Sequence, residues 1–285
     1  MTPDEVRSSL SAAGLGNLTA HLDALTRPGI RLATRAVAQS ALAIGASALG
    51  GQPDLPPGTA WPAKQGVPMS FVGQIRLEEA APYDTAHLLP PAGLLSFFYD
   101  AQQETYGTQP SDRDGFRVYY FASAAGLQRQ PFPAALPAAA RFTSCAVTYS
   151  SELTLPQRPN AELAGLAWSP QQQEQYEAAT ASYTAQQRQS GPQNQLLGFP
   201  NALQDDMRLE CQLASHGISM ENAANDPRTQ TLSAAADTWH LLFQVDSDPH
   251  AGMRWADSGM LYYWIERDAL RSANFDNTWV VLQGD

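Results

Sequence analysis

Four side chains able to bind a cation follow one apolar stretch at regular spacing. Asp246, Asp248, His250 and Asp257 occupy positions 1, 3, 5 and 12 of a twelve-residue window. In a calcium loop, oxygen ligands at alternate positions converge on the ion and the twelfth residue completes its coordination. Pro249 is unusual in such a loop, and the flanking segments resemble strands. We therefore keep two interpretations, a divalent-cation site and a turn whose side chains bond their own backbone.

Asp206 and Glu210 form a second acidic group. On a helix these two residues share a face, and near a helix start they interact favourably with the helix dipole. The alternative is that both face Asp246 across a cleft. Crowded carboxylates raise one another's pKa, which would create an acid–base pair or a cation site.

Two glutamines interrupt apolar segments that are expected to be strands. Gln74 lies within residues 71–75 and Gln244 within residues 241–245. A buried amide left without a hydrogen bond costs about 1–3 kcal/mol, so both side chains need partners. We expect either that each amide bonds the backbone or its counterpart in the other half, or that both amides line a polar cleft between the halves.

The Arg254-Trp255 pair is the candidate interface contact. Trp and Arg in exposed loops are frequent anchors of protein–protein interfaces, so we expect Trp255 to be partly exposed. Signatures of nucleophilic or metal catalysis are absent from the sequence, including Gly-x-Ser-x-Gly, the P-loop and the zincin helix. Cys145 and Cys211 are too few for a disulfide scaffold.

The elements that must position these residues occur in two similar series. Each series contains a Gly-x-Pro turn, an apolar strand with one glutamine, a loop, a glycine and an aromatic strand. The series comprise residues 51–53, 71–75 and 93–99, and then residues 198–200, 241–245 and 259–264. This order predicts an α+β fold, mainly antiparallel, that is internally duplicated with halves related by a pseudo-twofold axis.

We expect a single domain over residues 1–285. Its parts are an N-terminal segment of short helices (1–49), a first half (50–150), a connector with a Gln-rich helix (151–195) and a second half (196–285). A capping box at Thr2-Pro3-Asp4-Glu5 predicts where the first helix begins.

The same segments resemble the bacterial YwqG-like family. The resemblance rests on Gly50-Gly51-x-Pro53, Phe71-x-x-Gln74-Ile75, Gly198-Phe199-Pro200, Asp206-Met207-x-x-Glu210-Cys211, Gln244-Val245-Asp246 and Gly252-Met253-x-Trp255-x-Asp257. It implies a compact α+β fold rich in antiparallel strands. The family is a domain of unknown function, and some members sit among toxin-immunity genes.

The excess of acidic over basic side chains limits the classes of partner that we expect the protein to bind. The 285 residues include 28 acidic and 17 basic side chains, and residues 143–285 hold 17 of the acidic but only 7 of the basic ones. Such a chain repels phosphate backbones and anionic lipid, so we expect neither nucleic acid nor membrane as partner. The absence of a long apolar stretch and the acidic N-terminus predict a cytoplasmic protein.

These observations favour a non-catalytic protein-binding module without a cofactor, of the kind the toxin-immunity context implies. Its acidic surface would present Asp246, Asp248, Trp255 and Asp257. One alternative is a carboxylate- or divalent-metal-dependent enzyme using Asp206 and Glu210 with Asp246 and Asp248. The other is a small-molecule-binding protein with its site in the cleft between the halves.

Overall fold

A computed structural model of the chain describes residues 1–157 and 168–284. The strands are β1 Arg27–Ala36, β2 Ala48–Leu49, β3 Asp54–Leu55, β4 Ala63–Lys64, β5 Val67–Pro68, β6 Ser70–Arg76, β7 Leu94–Tyr99, β8 Phe116–Phe121, β9 Gln128–Arg129, β10 Cys145–Thr154, β11 Asn194–Leu197, β12 Trp239–Asp246, β13 Met260–Glu266 and β14 Thr278–Gln283. The α-helices are α1 Pro3–Ala12, α2 Leu22–Leu25, α3 Leu77–Ala80, α4 Pro170–Ser190, α5 Arg208–Ser215, α6 Thr229–Ser233 and α7 Arg267–Arg271. Short 3-10 helices lie at Gly16–His21, Gln39–Ala41, Ala81–Tyr83, Pro110–Gly115, Ala138–Ala140, Met220–Asn225, Ala236–Thr238 and Phe275–Asn277.

One ten-stranded sheet organises the molecule, in the order β14-β13-β12-β11-β1-β10-β2-β6-β7-β8. Every neighbouring pair in it is antiparallel, as the sequence predicts. The order reads outward from the central β1–β10 pair in two matching series of four strands. In the central pair, Ile30 lies opposite Ser151 and Ala36 lies opposite Cys145.

We call the four strands on each side of the β1–β10 pair an arm: β2-β6-β7-β8 is the first arm and β11-β12-β13-β14 is the second. The two arms share one irregularity. The β6–β7 register shifts between Phe71 and Gly73, and the β12–β13 register shifts between Leu241 and Phe243. In both arms the shift comes directly before the strand's glutamine. A β-bulge of this kind bends the strand and redirects the side chains that follow it.

The core lies where the two arms meet. The Phe97 ring packs against Phe243 with centroids 4.8 Å apart, and Phe116 packs against Trp279 at 5.6 Å. The Trp279 indole N–H donates to the Gly107 carbonyl at 2.8 Å. Because β7 is buried along its whole length, its apolar residues do not alternate with polar ones.

The N-terminal segment differs from its prediction. The Thr2 capping box forms and begins α1, but β1 follows and runs through the centre of the sheet. Residues 1–49 are therefore not a purely helical segment packed outside. The predicted division also assigned most of β10 to the first half, whereas the strand order sets β10 against β1.

The Gln-rich connector contains a helix, as predicted. Ser169 caps α4, and the helix continues to Ser190. Its one buried aromatic residue, Tyr176, packs into a small apolar cluster with Val6 and Leu10 of α1. Across the described ranges 1–157 and 168–284, none of the helices is both apolar enough and long enough to cross a bilayer.

Candidate functional site

Asp246 lies at the end of β12, and both of its carboxylate oxygens accept hydrogen bonds from backbone N–H groups. Its Oδ2 accepts a hydrogen bond from the Gln193 N–H at 2.9 Å, and its Oδ1 accepts one from the Ser247 N–H at 2.8 Å. Burial raises the pKa of the Asp246 carboxyl, and the Gln193 N–H bond opposes that rise. The carboxylate therefore ties β12 to the start of β11.

Asp248 is fully buried and its acceptors are also used internally. Its Oδ2 accepts from the Thr34 hydroxyl at 2.6 Å and from the Asn194 amide at 3.2 Å. Its Oδ1 accepts from the His250 backbone N–H at 2.8 Å, which makes the side-chain turn that Asp favours in loops.

Asp257 points away from both of these carboxylates. Its side chain is exposed and bonds the Arg254 guanidinium at 2.9 Å. Among residues 1–157 and 168–284, no three His, Cys, Asp or Glu side chains are grouped as metal ligands. The calcium-loop interpretation is therefore wrong in its geometry, and the turn interpretation describes the segment.

Trp255 is a core residue rather than an exposed contact. Its side chain is 0% exposed, and its ring packs edge-on against Tyr99 at 5.8 Å and Phe142 at 5.4 Å. The indole N–H donates to the Asp246 carbonyl at 3.1 Å. The expectation of partial exposure was wrong because an apolar environment and an internal acceptor were both available within the fold.

Asp206 and Glu210 are placed by the start of α5. Asp206 precedes the helix, accepts from the Arg208 backbone N–H at 2.9 Å and also binds the Arg208 guanidinium. The charges that act on Asp246 are those of Arg188 and Asp248. The predicted cluster of Asp206, Glu210 and Asp246 across a cleft does not form.

Burial raises the pKa of Glu210, and the neighbouring carboxylates Asp205 and Asp206 add to the rise. Arg208 is nearly buried and bridges Asp206 to Asp237, with 3.1 Å between its Nη1 and the Asp237 Oδ1. At the start of α5, two carboxylates are thus held by one arginine.

A cavity of about 450 Å³ opens beside this arginine. It lies between the turn after β11, the start of α5 and β13, and the ends of β1 and β10 form another wall. The lining residues are Arg27, Pro156, Gln157, Gly198, Phe199, Pro200, Ala202, Gln204, Asp205, Asp206, Arg208, Leu209, Ala236, Asp237 and Trp264. Volumes of 300–1,000 Å³ or so are typical of ligand pockets.

The cavity has an apolar wall and a charged rim. Phe199 and Trp264 form the wall, and Leu209 at its edge is a large apolar side chain with 38% exposure. Arg27 lies over the Phe199 ring at 4.4 Å from its centroid. The Trp264 side chain is 3% exposed, and its indole N–H has no acceptor among the residues described.

Gln74 and Gln244 bond the backbone. Gln74 Oε1 accepts from the Asp54 N–H at 2.8 Å, and its Nε2 donates to the Ala46 carbonyl at 2.8 Å. Gln244 Oε1 accepts from the Asn201 N–H at 2.8 Å. The two amides therefore fasten separate turns and do not line a common cleft.

Of the residues that line the cavity, Asp206 was predicted from the sequence as a site residue, and the apolar wall was not. Phe199 and Trp264 stood within quoted motifs and were read as turn and core residues. Asp237 lies in a segment without a motif, and only its proximity to Arg208 in space identifies it. The exposed apolar Leu209, between charged residues at a helix start, is the signal that could have indicated a binding surface.

The comparisons with known proteins give a family and no function. No curated protein matches the chain. The model of a family described as "Domain of unknown function (DUF1963)" matches residues 47–284, which is most of the chain and covers the sheet from β2 to β14. The chain belongs to this family.

Proposed function

We propose that the protein is a non-catalytic binding module that engages a basic protein partner at the cavity beside Arg208. An apolar side chain of the partner would enter against Phe199 and Trp264, and a neighbouring basic side chain would meet Asp206 and Asp237. The observation that carries the proposal is a cavity with an apolar wall, beside which the Asp206 and Asp237 carboxylates flank Arg208.

The chemistry of the lining favours binding over turnover. The part of the cavity formed by residues 1–157 and 168–284 contains no Ser, Thr, Cys, His, Lys or Tyr side chain. Ser, Thr, Cys, Lys, His and Tyr supply many of the nucleophiles and acid–base groups of enzymes, and the two rim carboxylates that could act in their place, Asp206 and Asp237, are both paired with Arg208. Cys211, on α5, is fully buried, and burial raises the pKa of its thiol.

The charge distribution favours a basic partner. Among the described residues, Asp206 and Asp237 lie at the cavity rim, and residues 143–285 as a whole are strongly acidic. Complementary charge accelerates association and discriminates between partners, whereas phosphate-bearing ligands are repelled. We also propose that the chain is a YwqG-like protein with an immunity-type role, since an immunity protein acts by capturing another protein.

The proposal includes an internal duplication of the sheet. It is supported by the matching strand order of the two arms and by the register shift that precedes each glutamine. The glycines of the two Gly-x-Pro turns also have similar backbone angles, with φ of 72° at Gly51 and 74° at Gly198. In this proposal, the second copy retains the turn and gains the helices that enclose the cavity.

A small cationic molecule is the second candidate occupant, because the cavity volume suits one. Calorimetry can compare the tripeptide Ac-Arg-Trp-Arg-NH2 with a free arginine ester and with Ac-Glu-Trp-Glu-NH2. We expect the basic tripeptide to bind, Asp237→Asn to weaken it at least fivefold and the exposed control Asp268→Asn to leave it unchanged. Failure of the basic tripeptide to bind, or equal binding of the acidic one, contradicts the proposal.

A further inference from the structure

Beside the first arm, a separate two-stranded sheet of β3 and β9 shows how a segment can be held at this type of turn. Strand β9 pairs antiparallel with β3, with Arg129 opposite Asp54 and Gln128 opposite Leu55. The Gln130 N–H donates to the Pro53 carbonyl at 2.8 Å. Two residues of sheet, extended by one more backbone bond, thus hold this segment against the Gly-x-Pro turn.

The corresponding turn in the second arm is built in the same way. Gly50 and Leu197 precede the turn glycines with φ of 62° and 58°. Asn201, like Asp54, donates its backbone N–H to a strand glutamine at 2.8 Å. By this correspondence Pro53 matches Pro200 and Leu55 matches Ala202.

The second turn has no docked strand within residues 1–157 and 168–284. There, neither the Pro200 carbonyl nor the Ala202 N–H has a hydrogen-bond partner in the described part of the chain. Both residues line the cavity. Unpaired backbone groups at such an edge are the template that added strands use.

The two arms also differ in whether an aromatic ring covers the aromatic residue opposite the bulge. Opposite the bulged strand, Phe98 in β7 matches Trp264 in β13, since they pair with Phe71 and Leu241 respectively. Trp61 covers Phe98 edge-on, with centroids 5.5 Å apart. No ring among the described residues stacks on Trp264 in this way.

We propose that the partner binds as a short extended strand, adding antiparallel to Pro200–Ala202 as β9 adds to β3. An aromatic side chain of this strand enters the cavity that Trp264 lines, and a basic side chain reaches Asp206 and Asp237. The basic side chain uses these rim carboxylates because the residue matching Asp54 is the uncharged Asn201. This inference rests on the proposed function and specifies the backbone conformation of the ligand.

The chain's own docked segment supplies the probe. The acetylated, amidated peptide Leu-Gln-Arg-Gln-Pro-Phe, the sequence of residues 127–132, is titrated into ¹⁵N-labelled full-length protein. We expect the Ala202 amide resonance to move, because its N–H gains an acceptor. Methylation of the peptide nitrogen that matches Gln130 removes the donor to Pro200 and should weaken binding at least tenfold.

Three results overturn the inference: no binding of this peptide, equal binding of the N-methylated peptide, or shifts at Leu55 without shifts at Ala202. Equal binding of both peptides with shifts around Trp264 would leave the proposed function standing and remove only the strand geometry. The tripeptide Ac-Arg-Trp-Arg-NH2 methylated at its backbone nitrogens tests the proposed function separately, because it cannot donate to the Pro200 carbonyl.

Discussion

Gln74 and Gln244 fasten loops of different length with the same hydrogen bond. Gln74 Oε1 accepts the N–H of Asp54, which lies 20 residues earlier, and Gln244 Oε1 accepts that of Asn201, 43 residues earlier. In both arms the bond fixes the turn that follows a strand of the sheet, β2 in the first arm and β11 in the second. The longer second loop contains α5 and the rim of the cavity.

Replacing either glutamine by leucine is expected to destabilise the fold. Each substitution leaves a buried backbone N–H and a buried carbonyl without partners, which costs about 2–4 kcal/mol in the free energy of unfolding. Urea denaturation of Gln74→Leu and Gln244→Leu measures this cost. The matched control is Gln171→Leu on the exposed face of α4, where a change within about 0.5 kcal/mol is expected. A loss no larger than that of the control would refute the buried-amide account.

Trp255→Ala is expected to cost about 3–5 kcal/mol of stability, because it removes a fully buried ring from the core. Tyr106→Ala, which truncates an aromatic residue with 54% exposure, should change stability far less. Thermal and urea denaturation of both variants compare the two positions. Similar small losses would mean that Trp255 is at the surface.

Glu210 should make stability depend on pH in a defined direction. Its pKa is raised in the folded protein, above an ordinary value of 4.5. At pH values between the ordinary pKa and the raised pKa of the folded protein, the folded state binds more protons than the unfolded state. The free energy of unfolding therefore falls as pH rises through this range. The wild type should therefore lose stability relative to Glu210→Gln through this range and change no further above it.

Urea denaturation at a series of pH values from about 4 to about 7 measures that difference. The exposed Glu174→Gln variant is the control for removing one carboxylate elsewhere. A difference between wild type and Glu210→Gln that stays constant, or that reverses in sign, contradicts the assigned burial of Glu210.

Calcium and magnesium should leave the melting temperature unchanged. The oxygens of Asp246 and Asp248 are occupied by protein donors, and Asp257 is turned toward Arg254. A cation bound only by the folded state would have to stabilise it. Thermal scans with millimolar calcium, magnesium or a chelator test this, and a calcium-dependent rise that Asp248→Asn abolishes would restore the cation interpretation.

The sequence predicts the strands well because their patterns are local. Residues 94–99 are continuously apolar, and β7 forms there with both faces buried. The Thr2 and Ser169 capping boxes likewise depend on residues three positions apart and appear as expected. The central place of β1 depends instead on pairing with β10 and β11, more than a hundred residues away, which no local pattern contains.

The candidate site is less predictable because burial and partners are tertiary properties. The spacing of Asp246, Asp248 and Asp257 is compatible with a cation loop, but Thr34 and Gln193 take the first two carboxylates. Both partners are distant in sequence. The cavity has the same character, since Trp264 and Asp237 meet only when α5 lies over β13.

The central claim is that a basic partner occupies the cavity over Trp264, and the indole N–H of that residue reports on it directly. In ¹⁵N-labelled protein, with the resonance assigned through Trp264→Phe, unlabelled Ac-Arg-Trp-Arg-NH2 should shift the Trp264 indole signal progressively. The Trp279 indole, bonded to Gly107 in the core, should stay in place. An unmoved Trp264 signal, or an equal shift with Ac-Glu-Trp-Glu-NH2, would contradict the account.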